Sequence, residues 1–515
     1  MDRNLKILVV APEATPFAKV GGLADVAGSL PKALATLSEG ELAHDVRLVL
    51  PKYQGVPDGD YVADFPISMG SQIQTAIIRE SHMEAKYGNY TTSVPVYFID
   101  NYHYFDRPGI YAHTDDAERF GFFCQAVLGM LPHLGFKPDL IHCNDWQSGL
   151  IPLYLRNKYN QNPFFQGIST VFTIHNLQYQ GIFSPAVLKQ LDIPNSLFTP
   201  EGIEFYGQVN FMKAGIIYAD VINTVSQTYA REILTPEFGV GLDGLLRHRK
   251  ADLFGIVNGI NYHEFNPETD PRIYVNYNHL SPELKKENKR ALQNEVSLPI
   301  RDLPVLGLVS RLVSQKGLDL FPAIFDWLTK EEVQLVFLGE GDRYYENLLQ
   351  ELAQRYPDKV STTIAFNAVL AQRIYAGADI FLMPSAFEPC GLGQLISMRY
   401  GTIPVVRTTG GLADTVYDYT TNQLYGNGFV FRELQPSAFL DAIRRALRVY
   451  RERPQAWREL VARVMVQDFS WSKSGASYVE LYQKALAKKA RSINRYPAEP
   501  LSEPYAVPVP ENAYS

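Results

Sequence analysis

The sequence predicts an α/β protein with two Rossmann-like, doubly wound domains that face a central cleft. Short apolar runs rich in β-branched residues recur along the 515-residue chain, and each is followed by a turn and a stretch with helical spacing. Strands that are apolar on both faces are typical of parallel sheets covered by helices. The runs form two series, 7–10, 46–50, 94–99, 140–142, 170–174 and 221–225, then 253–257, 305–309, 334–338, 360–365, 380–383 and 403–406.

The chain divides into two parts of similar size. The segment from Asn258 to Pro271, with Asn-Gly-Ile-Asn followed by Asn-Pro-Glu-Thr-Asp-Pro, interrupts the strand and helix pattern. We therefore predict one domain over 1–258 and a second over 265–469. The tail at 496–515 is rich in proline and is expected to be disordered. The first helix is predicted to kink or break at Pro31, which lies inside an apolar pattern of helical spacing.

The composition is that of a globular, mildly acidic protein. Lys and Arg number 48 against 55 Asp and Glu, which gives a formal net charge of -7, without a long run of like charge. We therefore predict neither a nucleic-acid partner nor a membrane-surface partner. Three cysteines (Cys124, Cys143 and Cys390) form no disulfide framework and have no metal-ligand spacing. Without a signal segment or a bilayer-length apolar run, a cytoplasmic location is expected.

The segment Lys19-Val20-Gly21-Gly22-Leu23 follows the first strand and opens the first helix. Glycines let the backbone approach a ligand closely, and a helix N-terminus beside a lysine favours a phosphate. An ordinary strand-to-helix turn is an equal alternative for this motif alone, because it is neither a Walker loop nor a complete GxGxxG.

In the second half, the strand at 305–309 is followed by Arg311 and by Lys316-Gly317. Two cations at the carboxyl end of a strand suit a diphosphate whose charge grows as it leaves. Solvated surface charge is the alternative. Glu388, in Phe387-Glu388-Pro389-Cys390-Gly391-Leu392, is placed to accept hydrogen bonds from sugar hydroxyls or to stabilise an oxocarbenium-like centre, and its alternative is a helix N-cap. Thr409-Gly410-Gly411-Leu412 echoes the first Gly-Gly helix start, so each domain is expected to offer one to the cleft.

Seven motifs taken together resemble bacterial glycogen synthases and plant starch synthases. They occur in order between about residues 5 and 485: Lys19-Val20-Gly21-Gly22-Leu23, Asp145-Trp146, Thr173-Ile174-His175-Asn176, Val257-Asn258-Gly259, Ser310-Arg311 with Lys316-Gly317, Glu388-Pro389-Cys390-Gly391-Leu392 and Thr409-Gly410-Gly411-Leu412. The resemblance implies a retaining glycosyltransferase of GT-B architecture that transfers glucose from ADP-glucose to the non-reducing end of an α-1,4-glucan (glycogen or starch-like). It also implies no cofactor and no metal. A helix within 470–490 is expected to complete the first domain.

The resemblance carries roles to matching positions. Lys19, Gly21 and Gly22, with Asp25, would lie at the phosphates and sugar of the donor, while Arg311 and Lys316 would neutralise the departing ADP. Glu388 would face the transferred glucose and His175 its anomeric carbon. The remaining expected substrate-binding residues are Asp145 and Asn176 on the acceptor side, Asn258 at the interdomain turn, and Cys390, Gly391, Leu392, Thr409, Gly410 and Gly411. The segment 104–109 resembles the acceptor-side loop of the family.

Some features depart from relatives or allow two interpretations. Ile396 occupies the position of a second glutamate found in many retaining transferases, and Phe366 that of a tyrosine near the nucleotide. Trp146, Tyr102, Tyr104, Phe105 and Tyr111 are either sugar platforms or core. Asp58-Gly59-Asp60 spells a DxD metal motif, but it lies in a turn signal away from the other motifs, so we predict no metal there. A transferase that uses UDP-glucose or another acceptor, and a non-catalytic glucan-binding scaffold, are the alternative functions.

Overall fold

The computed structural model describes residues 4–37, 44–87 and 90–495, so the predicted disordered tail at 496–515 lies outside the described residues. Within them, a mixed nine-stranded sheet and a parallel six-stranded sheet carry separate hydrophobic cores, and the predicted α/β fold class is confirmed. We call the part around the first sheet the N-terminal domain and the part around the second the C-terminal domain. No helix in the described ranges is both long and apolar enough to cross a bilayer.

The main sheet of the N-terminal domain has the order β12-β11-β7-β6-β1-β2-β5-β4-β3, and a small antiparallel sheet has the order β8-β10-β9. The strands are β1 (Lys6–Val10), β2 (Asp45–Pro51), β3 (Asp60–Met69), β4 (Gln72–Tyr87), β5 (Tyr90–Asp100), β6 (Leu140–Asn144), β7 (Ser169–Ile174), β8 (Ile182–Phe183), β9 (Glu204–Phe205), β10 (Gln208–Asn210), β11 (Val221–Thr224) and β12 (Leu253–Gly255). The helices are α1 (Gly22–Thr36), α2 (Tyr102–Phe105), α3 (Asp116–His133), α4 (Leu150–Asn157), α5 (Val187–Gln190), α6 (Phe211–Tyr218), α7 (Gln227–Glu232) and α8 (Asp243–His248).

The sheet of the C-terminal domain has the order β15-β14-β13-β16-β17-β18 and is parallel throughout. Its strands are β13 (Val305–Val309), β14 (Gln334–Gly339), β15 (Val360–Ile364), β16 (Ile380–Met383), β17 (Ile403–Arg407) and β18 (Phe429–Phe431). Its helices are α9 (Lys285–Glu295), α10 (Phe325–Leu328), α11 (Arg343–Arg355), α12 (Ala368–Gly377), α13 (Gly393–Arg399), α14 (Gly410–Thr415), α15 (Pro436–Glu452) and α16 (Pro454–Met465). The next helix, α17 (Trp471–Arg495), has its buried residues in the core of the N-terminal domain.

The strands expected from apolar runs form because both of their faces are covered. In β1 and β7 every residue after Lys6 is buried, which is the environment that a continuous apolar run predicts. Two strands that pair antiparallel at one end of the sheet, β3 and β4, were not predicted from the sequence. In β3 buried and exposed residues alternate from Phe65 to Met69, so a search for continuous apolar runs does not detect it.

Two helices bear on how the domains are built. Helix α1 runs from Gly22 to Thr36 with Pro31 inside it, so the helix does not break at Pro31. The chain returns to the N-terminal domain in α17, which packs against α1 and β7. The Tyr482 hydroxyl lies 2.9 Å from Nδ1 of His142 in the buried core of that domain. The two domains are therefore joined both at the turn after β12 and at the start of α17.

Candidate active site

A cavity of about 960 Å³ lies between the domains, at the carboxyl ends of parallel strands from both sheets. Ligands of doubly wound sheets bind at this end of the strands. The site residues expected from the sequence that line the cavity are Lys19, Gly21, Gly22, Asp25, Asp145, His175, Asn176, Asn258, Arg311, Lys316, Glu388, Cys390, Gly391 and Leu392. The structure thus gathers residues from chain segments almost 400 positions apart into one space.

The Gly-Gly turn forms one wall of the cavity and is held by a carboxylate. Glu13 accepts hydrogen bonds from the backbone N–H groups of Val20 and Gly21, the latter at 3.2 Å. Burial raises the pKa of Glu13, and the two backbone hydrogen bonds oppose that rise. A Cβ atom added to Gly22 would lie 3.9 Å from Cδ1 of Leu392, so the domains approach each other closely here.

The lysine of the same turn is also restrained. Nζ of Lys19 lies 2.6 Å from Oδ1 of Asp25, one turn into helix α1. The lysine is partly exposed, and the pair faces the cavity. An anion entering the cavity would therefore compete with Asp25 for this ammonium group.

Deeper in the N-terminal wall, Asp145 and His175 follow β6 and β7. Oδ1 of Asp145 accepts the backbone N–H of His175 at 2.7 Å, and burial raises the pKa of Asp145 to about 8. Asp145 has a φ of 56°, a left-handed conformation that costs a non-glycine residue about 1–3 kcal/mol. This residue comes directly after β6 and lines the cavity.

His175 is held as a neutral imidazole. Burial lowers the pKa of His175 to about 3. Its Nε2 lies 2.9 Å from Oδ1 of Asn144, whose amide nitrogen donates to the Val10 carbonyl oxygen. Because that amide oxygen can only accept, Nε2 carries the proton and Nδ1 has the free lone pair. This ring can accept a hydrogen bond from a ligand but carries no positive charge.

The opposite wall comes from the C-terminal domain and carries the cations. Arg311 follows β13 and is exposed at the cavity surface. Nζ of Lys316 lies 2.6 Å from Oε2 of Glu388, which also accepts from the Ser385 hydroxyl at 3.0 Å. Gly317 follows with a φ of 72°, and a Cβ there would lie 1.9 Å from the Pro384 carbonyl oxygen. Only glycine lets the Lys316 turn pack against the end of β16.

The chain after Glu388 meets the interdomain turn. The Cys390 thiol is buried, which raises its pKa to about 12, and the backbone N–H of Asn258 points towards it. The side-chain Oδ1 of Asn258 is buried and has no hydrogen-bond partner among the described residues. An unpaired buried acceptor in a cavity wall is suited to a ligand hydroxyl.

The aromatic residues divide between the two interpretations left open by the sequence. Trp146 and Tyr111 line the cavity, and Trp146 also packs against Phe183. Tyr104 and Phe105, by contrast, are core residues of the N-terminal domain. Tyr102 is 81% exposed and does not line the cavity, nor does any residue of the expected loop at 104–109.

Thr409, Gly410 and Gly411 differ from the sequence expectation, because they do not line the cavity. They are buried, and the N–H of Gly410 donates to both carboxylate oxygens of Glu232 at 3.0 and 3.1 Å. A side chain of the N-terminal domain therefore occupies the helix start that the sequence suggested for substrate. The repeated Gly-Gly motif serves two different purposes in the two domains.

Three positions flagged in the sequence lie outside the cavity lining. Ile396 is buried in the core of the C-terminal domain. Phe366, just after β15, is 78% exposed. Asp58 forms an ion pair with Lys52 at 3.0 Å, and within the described ranges no cluster of three or more His, Cys, Asp or Glu side chains is arranged to hold a metal ion.

Two residues of this region were not expected from the sequence: Glu13, which lines the cavity, and Asn144, which holds the His175 ring. Glu13 comes three residues after β1 and Asn144 ends β6, so both lie at the carboxyl edge where ligand groups gather. That position was the available signal for both residues.

The comparisons with known proteins cover both domains. Residues 6–248 match the model of the starch synthase catalytic domain, and residues 303–448 match that of glycosyl transferases group 1. A glycogen synthase of Desulforudis audaxviator is 58% identical over 488 residues, which cover 95% of this chain and 98% of that protein. The chain belongs to the glycogen and starch synthase family. A glycogen synthase of Moorella thermoacetica is 56% identical over 96% of this chain and 99% of its own length.

A solved structure of the same family supports the architecture. The catalytic domain of starch synthase IV from Arabidopsis thaliana, bound to ADP and acarbose, is 34% identical and has a TM-score of 0.84. The match covers 94% of this chain and all of that one. The family resemblance and the GT-B architecture expected from the sequence are therefore confirmed. In this glycogen and starch synthase family member, the cavity between the domains is the candidate active site.

Proposed function

We propose that the protein is a glycogen synthase that transfers glucose from ADP-glucose to the non-reducing end of an α-1,4-glucan, with retention of configuration. The observation that carries this proposal is the single cavity in which Arg311, Lys316 and Glu388 of one domain face the Gly-Gly turn and His175 of the other. The C-terminal wall supplies the cations Arg311 and Lys316, and the N-terminal wall supplies neutral hydrogen-bonding groups together with the Lys19–Asp25 pair. A nucleotide sugar and a glucan hydroxyl require this combination.

On the donor side, Arg311 and Lys316 are proposed to neutralise the diphosphate. Negative charge on the leaving group grows as the bond to the anomeric carbon breaks, so fixed cations stabilise the transition state more than the bound donor. The ion pair between Lys316 and Glu388, at 2.6 Å, holds both side chains in place before substrate binds. Lys19 and the backbone of Gly21 and Gly22 approach the donor from the other wall.

On the acceptor side, Asp145, His175 and Asn176 are proposed to hold sugar hydroxyls. The raised pKa of Asp145 and the lowered pKa of His175 favour their uncharged forms near neutral pH. Neutral donors and acceptors suit hydroxyl groups, which carry no charge of their own. Trp146 and Tyr111 would pack against the apolar faces of glucose rings.

We hypothesise that the chemical step is a front-face displacement. The bond between the anomeric carbon and the ADP oxygen breaks, and the glucan 4-hydroxyl oxygen bonds to that carbon on the same face. The hydroxyl proton passes to the leaving phosphate oxygen, so ADP departs and the configuration is retained. Glu388 and the His175 backbone carbonyl stabilise the positive charge on the sugar. A glycosyl-enzyme trapped with Glu388→Gln would contradict this step.

The proposed reaction uses no metal, because Arg311 and Lys316 supply the neutralising charge. The test is transfer of labelled glucose to glycogen from ADP-glucose and from UDP-glucose, side by side and with chelator present. Wild type, Lys316→Ala and the control Lys286→Ala, which removes an exposed lysine of α9, are compared. We expect chelator-resistant transfer that prefers ADP-glucose and is lost only in Lys316→Ala.

The other outcomes of this assay separate the alternative functions. Transfer from UDP-glucose alone would retain the reaction class and overturn the donor specificity. Glycogen binding without consumption of either donor would indicate a non-catalytic scaffold. We place the reaction in the cytoplasm, which suits three unpaired and buried cysteines.

A further inference from the structure

Two short helices meet where the domains touch, outside the cavity lining: α7 of the N-terminal domain and α14 of the C-terminal domain. The carboxylate of Asp414, on α14, accepts hydrogen bonds from the backbone N–H of Thr228 at 2.8 Å and from its hydroxyl at 2.6 Å. Thr228 lies in the first turn of α7. A carboxylate of one domain therefore lies at the helix N-terminus of the other.

The reverse contact is made by Glu232, at the end of α7. Its carboxylate accepts from the backbone N–H of Gly410 at 3.0 and 3.1 Å and from the Thr409 hydroxyl at 3.0 Å. Gly410 is the first residue of α14. Each helix thus gives a carboxylate to the N-terminus of the other, where the helix dipole and unpaired N–H groups favour negative charge.

The start of α14 is also bound to the loop that carries Glu388. The N–H of Gly411 lies 3.1 Å from the carbonyl oxygens of both Glu388 and Pro389. A Cβ atom on Gly410 would lie 1.9 Å from the Glu388 carbonyl oxygen, so the two backbones are in direct contact. From the N-terminal domain, the Ser226 hydroxyl donates to the Pro389 carbonyl oxygen at 2.6 Å. A shift of α14 would therefore move the Glu388 backbone.

We propose that Glu232 and Asp414 are positioning residues that form a two-way clasp between the domains and hold the Glu388 loop against the N-terminal half of the active site. Neither carboxylate belongs to the cluster of Lys316 and Glu388 that faces the transferred sugar. The clasp acts through the backbone of α14 and the Glu388 loop. This inference rests on the proposed transfer reaction for its kinetic test but not for its structural test.

The kinetic test compares Glu232→Ala and Glu232→Gln with the control Glu331→Gln, which removes a surface ion pair with Arg451 inside the C-terminal domain. We expect Glu232→Ala to lower kcat about 10- to 100-fold, because misplacement of a catalytic group by about 1 Å costs up to about 100-fold. The KM values for donor and glucan should change less than about 3-fold. The glutamine variant, which keeps one accepting oxygen, should recover part of the rate, and Glu331→Gln should match wild type.

A second variant tests whether the two contacts act as one unit. The double variant Glu232→Ala/Asp414→Ala should have a kcat within about 3-fold of the worse single variant, because contacts in one network are not additive. A kcat loss equal to the product of the two single losses would contradict a single clasp. A folded Glu232→Ala variant with the wild-type kcat and only a lower melting temperature would show a merely structural contact and overturn the proposal.

The structural test needs no turnover. Small-angle X-ray scattering of the ligand-free double variant should give a larger radius of gyration than wild type, because the domains are released from each other. An identical scattering curve would overturn the clasp. If wild type transfers no glucose from any donor, the proposed function fails, and the scattering result still decides this inference.

Discussion

The two walls of the cavity differ in the charge of the side chains that line them. In the N-terminal wall, burial raises the pKa values of Glu13 and Asp145 and lowers that of His175, so each group is shifted towards its uncharged form. In the C-terminal wall, Arg311 is exposed and Lys316 is held in an ion pair with Glu388. Apart from the Lys19–Asp25 pair, the N-terminal wall therefore favours uncharged groups, which suits the hydroxyl groups of the proposed acceptor, while the cations of the C-terminal wall suit the proposed diphosphate.

The largest expected effect comes from removing charge from the C-terminal wall. Arg311→Ala should lower kcat by about 100-fold or more, because a lost transition-state charge contact costs about 3 kcal/mol or more. Arg311→Lys keeps a cation and should lose less. The control is Arg290→Ala on the surface of α9, which should retain the wild-type rate. The values of kcat are measured in steady-state assays. A kcat for Arg311→Ala within 3-fold of wild type would contradict the proposed role of the cations in the C-terminal wall.

The N-terminal wall is tested through the pH dependence of stability. The pKa of Asp145 is about 8 when folded and about 3.9 when unfolded, so its favourable contribution is complete below pH 4 and is lost as the pH rises through 8. In urea unfolding, the free energy of wild type relative to Asp145→Asn should fall by about 3–4 kcal/mol between pH 5 and pH 8. A constant difference across this range would show that Asp145 is not held neutral.

The smallest expected effect concerns the nucleotide base. Phe366 is exposed just beyond β15 and outside the cavity lining, at the position where the family resemblance implies a tyrosine near the nucleotide, so we expect adenine to stack on its ring. Phe366→Ala should raise the KM for ADP-glucose about 5- to 10-fold, because base stacking contributes about 1–3 kcal/mol. Phe366→Tyr keeps the ring and should bind normally. An unchanged KM in Phe366→Ala would show that adenine does not stack on this ring. The proposed donor contacts of the C-terminal domain would then be limited to its cavity wall with Arg311, Lys316 and Glu388.

Most of the fold could be predicted because it depends on local patterns. The strands β13, β14 and β16 coincide with the predicted apolar runs, apart from Gly339 at the end of β14. The antiparallel strands β3 and β4 were missed, since their alternating exposure gives no continuous apolar run. Helix α1 remains unbroken at Pro31, although the sequence alone favoured a kink or break.

The candidate site was only partly predictable, because contacts between distant segments are not local. Arg311 and Lys316 could be found from their position after a strand. The role of Gly410 could not, since the group that meets its N–H is Glu232, 178 positions earlier and in the other domain. Similarly, the shifted pKa values of Asp145 and His175 follow from burial, which motif spacing does not report.

The most direct test of the charged wall is the steady-state kinetics of Lys316→Ala with ADP-glucose. If Lys316 stabilises charge that develops on the departing diphosphate, kcat should fall at least about 100-fold while the KM for ADP-glucose changes less than about 5-fold. Lys286→Ala should match wild type in both constants. An unchanged kcat with a raised KM would show that Lys316 only binds the donor, and would contradict the proposed division between a charged and a neutral wall.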